Sequence, residues 1–154
     1  MSYFNLIQAL MSVRRCEDFE ANTGASDKTI AAAERILGIT FSAQCKTFYK
    51  AFNYVSFYGC ELYGIFPDAL EGDLVGNSVA YTLHDRKHMG LPAAWIPFQD
   101  LDDGSMAYFD YSHKSKSGEP RIIAAHHNGD TFVVDEVLAN DFGAYFLKLV
   151  KEAL

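Results

Sequence analysis

The stretch WIPFQDLDDGSMAYFDY, Trp95 to Tyr111, reads as two strands joined by a tight turn. Side chains alternate along a strand, so Ile96 and Phe98 share one face of the first, and Ala107, Phe109 and Tyr111 one face of the second. Asp102-Asp103-Gly104 lies between them, and Asp-Gly supplies the positive φ that a tight hairpin demands. Both faces of the second strand are largely apolar, which places it inside a sheet. Pro97 cannot donate to a ladder, so the first strand lies at an edge or carries a bulge.

Working outward, a polar loop with Lys114 and Lys116 leads to a second strand pair, Arg121 to His127 and Thr131 to Val137, joined at Asn128-Gly129. Asn140 or Asp141 caps a closing helix that turns Phe142, Tyr145, Phe146, Leu149 and Val150 inward. On the other side, the chain is mostly helical. Tyr3 or Phe4, Ile7, Leu10 and Met11 recur at helical spacing and predict a helix from about Ser2 to about Val13. Ser26 or Asp27 caps a second helix with Ile30, Ala33 and Leu37 on one face, ended by Gly38. Ser42 caps a third that aligns Cys45, Phe48, Tyr49 and Phe52, with Asn53 as its terminator. Cys60 to Phe66 reads as a short strand, Pro67 to Asn77 as an acidic loop, and Ser78 to Met89 as a helix stopped by Gly90 and Pro92. The expectation is one α+β domain over 1–154: a mainly antiparallel twisted sheet flanked by N-terminal helices and a C-terminal helix.

Composition narrows the function. A chain of 154 residues, 49% hydrophobic and 14% aromatic, buries roughly two thirds of its extended-chain surface. Thirteen Lys and Arg against twenty Asp and Glu give a formal charge of −7, which disfavours a nucleic-acid grip and suits a basic protein partner. The N-terminal apolar run has its basic residues after it, the wrong polarity for a secretory signal, and is too short to span a bilayer. A cytoplasmic protein without membrane attachment is expected. Cys16, Cys45 and Cys60 are odd in number and at no ligand spacing, which fits reduced thiols.

Motifs for chemistry are weak. His84 and His88 share the i, i+4 spacing of a zinc-binding helix, but Asp85 stands where the motif's longer Glu belongs, and Arg86 and Lys87 oppose a dication. His126 and His127 point to opposite faces of their strand. No nucleophile elbow, phosphate loop or cysteine in a catalytic context occurs. Asp100, Asp102, Asp103 and Asp110 include a conceivable carboxylate pair of the glycosidase kind, yet acids at a hairpin tip are ordinarily solvated. The reading is of a protein that is not an enzyme and needs no metal or cofactor.

What remains is an acidic, aromatic-rich surface. Glu61, Asp68, Glu71 and Asp73 follow the third helix, and Asp100, Asp102 and Asp103 tip the hairpin. They suit either solubility or a docking surface. Tyr63, Trp95 and Tyr108 are candidate anchors for such a surface, or core residues.

Several pieces, in order, carry a resemblance: Ile30 to Glu34 through Leu37-Gly38; Phe48 to Asn53 followed by Glu61-Leu-Tyr-Gly-Ile65; Thr82 to Arg86, Leu91-Pro92, Trp95-Ile-Pro97 and Asp103-Gly104; Gly118-Glu119-Pro120; and Ala139 to Phe142. From about Ser26 to Leu149 the chain resembles the SUKH superfamily, which includes bacterial immunity proteins and fungal regulators of cell-wall (glucan) synthesis. It departs at Thr40-Phe41-Ser42, where the family usually has Leu-Pro, and at Asn53-Tyr54, where Asn-Gly is common. The resemblance implies an α+β sheet flanked by helices and a binding role without catalytic residues. For bacterial members that role is neutralising a cognate toxin, often a nuclease; the alternative is a regulatory scaffold of the fungal type.

Overall fold

The structure, a computed structural model, describes residues 2–69 and 74–154. Its elements are α1 (Ser2–Ser12), β1 (Glu20–Ala21), α2 (Asp27–Leu37), α3 (Ala43–Ala51), β2 (Val55–Phe57), β3 (Cys60–Leu62), α4 (Ser78–His88), β4 (Trp95–Asp100), β5 (Met106–Lys114), β6 (Pro120–His127), β7 (Phe132–Ala139) and α5 (Phe142–Ala153). The α+β layout is as predicted, but the strands form two antiparallel sheets, β1-β2-β3 and β4-β5-β6-β7. A backbone bond from Tyr63 N–H to the Phe98 carbonyl (2.8 Å) ties β3 to β4 at their junction.

Helix starts follow from their caps. Ser26 Oγ accepts from Thr29 N, Ser42 Oγ from Cys45 N, and Asp141 Oδ1 from Ala144 N. Each satisfies a donor that has no partner inside its helix. Gly38 ends α2 at φ +68° and Asn53 follows α3 at φ +53°. Pro97 meets both of its expectations: β4 is an edge strand of its sheet, and its register with β5 shifts between Pro97 and Gln99. Ser78 Oγ donates to the Pro97 carbonyl at 2.8 Å, fastening α4 to that irregular point. The hairpin turn is wider than Asp-Gly alone implies. Leu101 N donates to the Ser105 carbonyl, and the positive φ values fall on Asp102 (+61°) and Gly104 (+91°).

The larger core runs from Leu6 to Val150 and holds Phe98, Phe109 and Phe146, all fully buried. Phe98 stacks on Phe109 at 4.2 Å, and Phe142 meets Phe48, Phe98, Phe109 and Phe146 between 5.1 and 5.7 Å. A smaller core on the opposite sheet face gathers Leu91, Trp95, Tyr108, Ile123 and Ala125.

Two buried asparagines clasp the segment after β3. Ile65 N donates to Asn53 Oδ1 (2.8 Å) while Asn53 Nδ2 donates to the Ile65 carbonyl (3.0 Å), imitating a strand pairing with one side chain. On the other side Asn77 bonds both backbone groups of Phe66 and caps α4 through Val79 N and Ala80 N. Gly64 sits between, its N–H given to the Gly76 carbonyl and its own carbonyl accepting from Ser78 N.

Asp110, on β5, is a buried carboxylate held by Arg121 Nε (2.8 Å), His113 Nδ1 (3.1 Å), and the Ser112 backbone and hydroxyl. Burial pulls its carboxyl upward, but the Ser112 and Arg121 hydrogen bonds outweigh that and hold it below the usual carboxylate range. A depressed carboxyl stabilises the fold above its unfolded pKa, about 3.9, and that contribution disappears as pH falls through the lower folded value. Asp110→Asn is therefore expected to destabilise the protein at pH 7 and to flatten the loss of stability below about pH 4. Denaturant midpoints from pH 2 to 7 check it; parallel curves for parent and variant would refute it.

Candidate functional site

The structure brings together two of the acids expected to dock a partner, Glu61 and Asp100, and separates Asp102 and Asp103 from them. Because β3 meets β4 at Tyr63, Glu61 on β3 comes beside Asp100 at the end of β4: the charges of both raise the Tyr63 hydroxyl, after the larger effect of its burial. Asp102 lies near Cys60, the neighbour of Glu61, and burial, Glu152 and Asp102 in that order push the Cys60 thiol up. Side chains alternate along β3, so Cys60 faces the core and α5 while Glu61 faces the other way. Asp102 lies on the Cys60 side, and Glu61 and Asp100 alone of the four border the Tyr63 face. Asp103 turns away. It accepts from the Ser105 backbone and hydroxyl, which lower its pKa, and lines a separate groove with His126, Asp135 and Glu136. Glu71 and Asp73 lie outside the described residues, and Asp68 follows Phe66 in a turn.

Tyrosines that sequence reading passed over extend the face. The Tyr54 hydroxyl donates to Glu61, and burial followed by that carboxylate pushes Tyr54 up to about 12. Tyr81 on α4 packs against Tyr63 at 5.9 Å and is raised by burial, then by Asp85 and Asp100. The result is a row of Tyr54, Glu61, Tyr63, Asp100, Tyr81 and Asp85 from β2 to α4. Its phenols stay neutral at physiological pH and offer hydroxyl groups beside carboxylates, a lining that suits Lys and Arg. No local signal marks Tyr54 or Tyr81, because their meeting depends on the β3–β4 junction.

The three anchors need correction. Trp95 is 8% exposed, Tyr108 2% and Tyr63 8%. Trp95 and Tyr108 pack together at 5.3 Å in the smaller core, because β5 is covered on both faces. They support the face from behind, and only the rim of Tyr63 reaches it.

Chemistry finds little footing. Asp110 stands opposite Trp95 in the β4–β5 register and Asp100 opposite Met106, four residues away. Strand rise makes that roughly 14 Å, against roughly 5–9.5 Å for glycosidase carboxylates. Burial pushes the Cys45 thiol up to about 12, and the Tyr111 hydroxyl donates to its Sγ, so it is a protonated core group at neutral pH. The His84 and His88 rings lie 4.8 Å apart, tilted by 47°, with His84 Nδ1 3.0 Å from Asp85. Among the described residues no three His, Cys, Asp or Glu side chains converge as metal ligands, and no helix is long and apolar enough to cross a membrane.

Comparison with curated proteins gives no match. A family model does match, SUKH_6, described as SMI1-KNR4 cell-wall, over residues 27–146. That span runs from the first residue of α2 into α5 and takes in both sheets except β1. Within it lie Asn53, Gly64 and Asn77, which fix the chain between β3 and α4, and every residue of the Glu61–Asp100 face. The chain belongs to the SMI1-KNR4 (SUKH) family.

Proposed function

We propose that this is a non-enzymatic cytoplasmic binding protein, and that it acts as an immunity protein by occupying a basic toxin domain. The supporting observation is the convergence of Glu61 and Asp100, with Tyr54, Tyr63 and Tyr81, on one face formed where the two sheets meet. A nuclease toxin carries positive charge because it must hold phosphates. An acidic face attracts such a domain over about 8–10 Å at physiological salt and covers the groove that binds its substrate.

The family's cell-wall description favours a second reading, a scaffold that regulates cell-wall synthesis. Co-expression separates the two. Under the immunity reading, the protein rescues growth of cells producing a toxin encoded beside it, and rescue tracks binding; a regulator gives no rescue and changes wall composition when deleted.

The face is tested by Glu61→Lys with Asp100→Lys. Both positions are exposed, so folding should change little. The association rate with a basic partner should fall at least about tenfold at low salt and depend less steeply on salt. Stopped-flow association across a salt series measures both. An unchanged rate and slope would leave these carboxylates with a solubilising role only.

A further inference from the structure

β7 is the last strand of the four-stranded sheet and pairs with β6 alone among the described strands. Its outer edge therefore presents unpaired N–H and C=O groups along Phe132–Ala139. Proteins usually blunt such an edge by keeping it short, with Pro or charged side chains, or with β-bulges. β7 has two acids and two register shifts toward its C-terminal half, leaving Phe132–Val134 regular. β7 has eight residues, above the usual five or six, and contains neither Pro nor Lys. Val133, Val134 and Val137 stand 37, 40 and 48% exposed along it.

The β6–β7 register shifts at two points, Ile122/Ile123 and Ala124/Ala125, and the second collects charge. There Asp135 has no opposite number on β6. Asp135 and the following Glu136 both border a groove of about 410 Å³ against Asp103 and Ser105 of the hairpin turn. His126 Nδ1 holds Asp135 at 2.9 Å from within that groove. A strand added outside β7 therefore meets valines and two carboxylates.

We propose that the outer edge of β7 docks an extended, basic strand of a partner protein, which continues the sheet and sets Lys or Arg cross-strand from Asp135 and Glu136. This rests on the reading of the protein as a binder of basic partners, and adds a second, strand-pairing contact apart from the Glu61–Asp100 face. Charge selects the occupant. A second copy paired antiparallel about the middle of β7 sets Asp135 against its twin's Glu136 and the reverse, and like charges directly opposite destabilise a pairing. A basic strand turns both contacts favourable, with backbone bonds supplying affinity.

Three blocked eight-residue peptides test it against the full-length, isotope-labelled protein: alternating Lys and Val, alternating Glu and Val, and the Lys–Val sequence N-methylated along one edge. The Lys–Val peptide is expected to shift the amide signals of 132–139 and slow their exchange, while the Glu–Val peptide does not. N-methylation removes several backbone bonds and should weaken binding at least about tenfold. Asp135→Lys with Glu136→Lys should reverse the preference toward the Glu–Val peptide. Equal binding of the N-methylated peptide overturns strand pairing. Shifts confined to Glu61, Asp100 and their neighbours overturn the β7 site while leaving the docking face standing. A concentration-dependent dimer with 132–139 protected and no peptide present overturns the choice of occupant.

Discussion

Phe142→Ala is expected to lower stability by about 3–5 kcal/mol, the cost of removing a fully buried aromatic ring from a packed core. Phe142 has no exposed surface and opens α5, where its ring meets those of Phe48 on α3, Phe98 on β4, Phe109 on β5 and Phe146 one turn on. Tyr145, one turn on, adds a second contact from α5 to Phe98. The surrounding rings come from four different elements, so closing the hole would require several to move together, and the cavity should persist. For a domain of this length the loss corresponds to a fall in melting temperature of about 10 °C. Phe4→Ala provides the contrast: Phe4 is exposed on α1, so its removal should fall within about 0.5 kcal/mol of the parent. Thermal and denaturant unfolding of both variants decides it. If Phe142→Ala melts with the parent, α5 does not close the core as described.

The hairpin and the long helices were legible because their signals are local. Serine caps, a helical apolar stripe, Asn-Gly, and a proline in an apolar run each act within a few residues, and α2, α3, α5 and β4 through β7 follow from them. The short strands β1 and β2 were not legible. They hold together through long-range pairing, Ala21 with Val55 and Val55 with Leu62, and the turn from β2 to β3 puts Tyr58 at φ +47°, where Gly or Asn would have been the signal. The same limit applies to the candidate site. Excess negative charge pointed to the acids, but Asp103 parted from Asp100 because the turn uses its carboxylate to hold Ser105. Trp95 and Tyr108 resembled anchors because interfaces and cores draw on the same aromatics; only the covering of both faces of β5 tells them apart. Tyr54 and Tyr81 joined the face through the β3–β4 junction, a contact with no trace in their own neighbourhoods.

The Asn and Glu-Leu-Tyr-Gly pieces that carried the family resemblance belong to the architecture, and their removal should be among the most damaging changes available. A Cβ on Gly64 would lie 1.2 Å from the Asn53 carbonyl oxygen and 2.8 Å from its Oδ1. Backbone must move to relieve that contact, and Gly64 is held on its other side by Gly76 and Ser78. Gly64→Ala should therefore cost more than about 4 kcal/mol, at the severe end for one residue. Asn53→Ala removes the other half of the clasp. It leaves the Ile65 N–H and carbonyl buried without their partner, at about 1–3 kcal/mol each, and puts a residue poorly suited to φ +53° there. Asn53→Asp separates hydrogen bonding from shape. The carboxylate still accepts from Ile65 N but faces the Ile65 carbonyl, 3.0 Å from the amide nitrogen it replaces, with no proton to give. Burial against that oxygen raises the new acid's folded pKa above its unfolded value, so its protonated form is favoured in the fold. Stability of this variant should then increase as pH falls from 7 toward 4, opposite in sign to the contribution of Asp110. Urea midpoints at pH 7, 5.5 and 4.5 for the parent and Asn53→Asp read the difference directly. If the gap between them stays constant across that range, the Asn53 side chain does not donate to Ile65, and the clasp is held by shape alone.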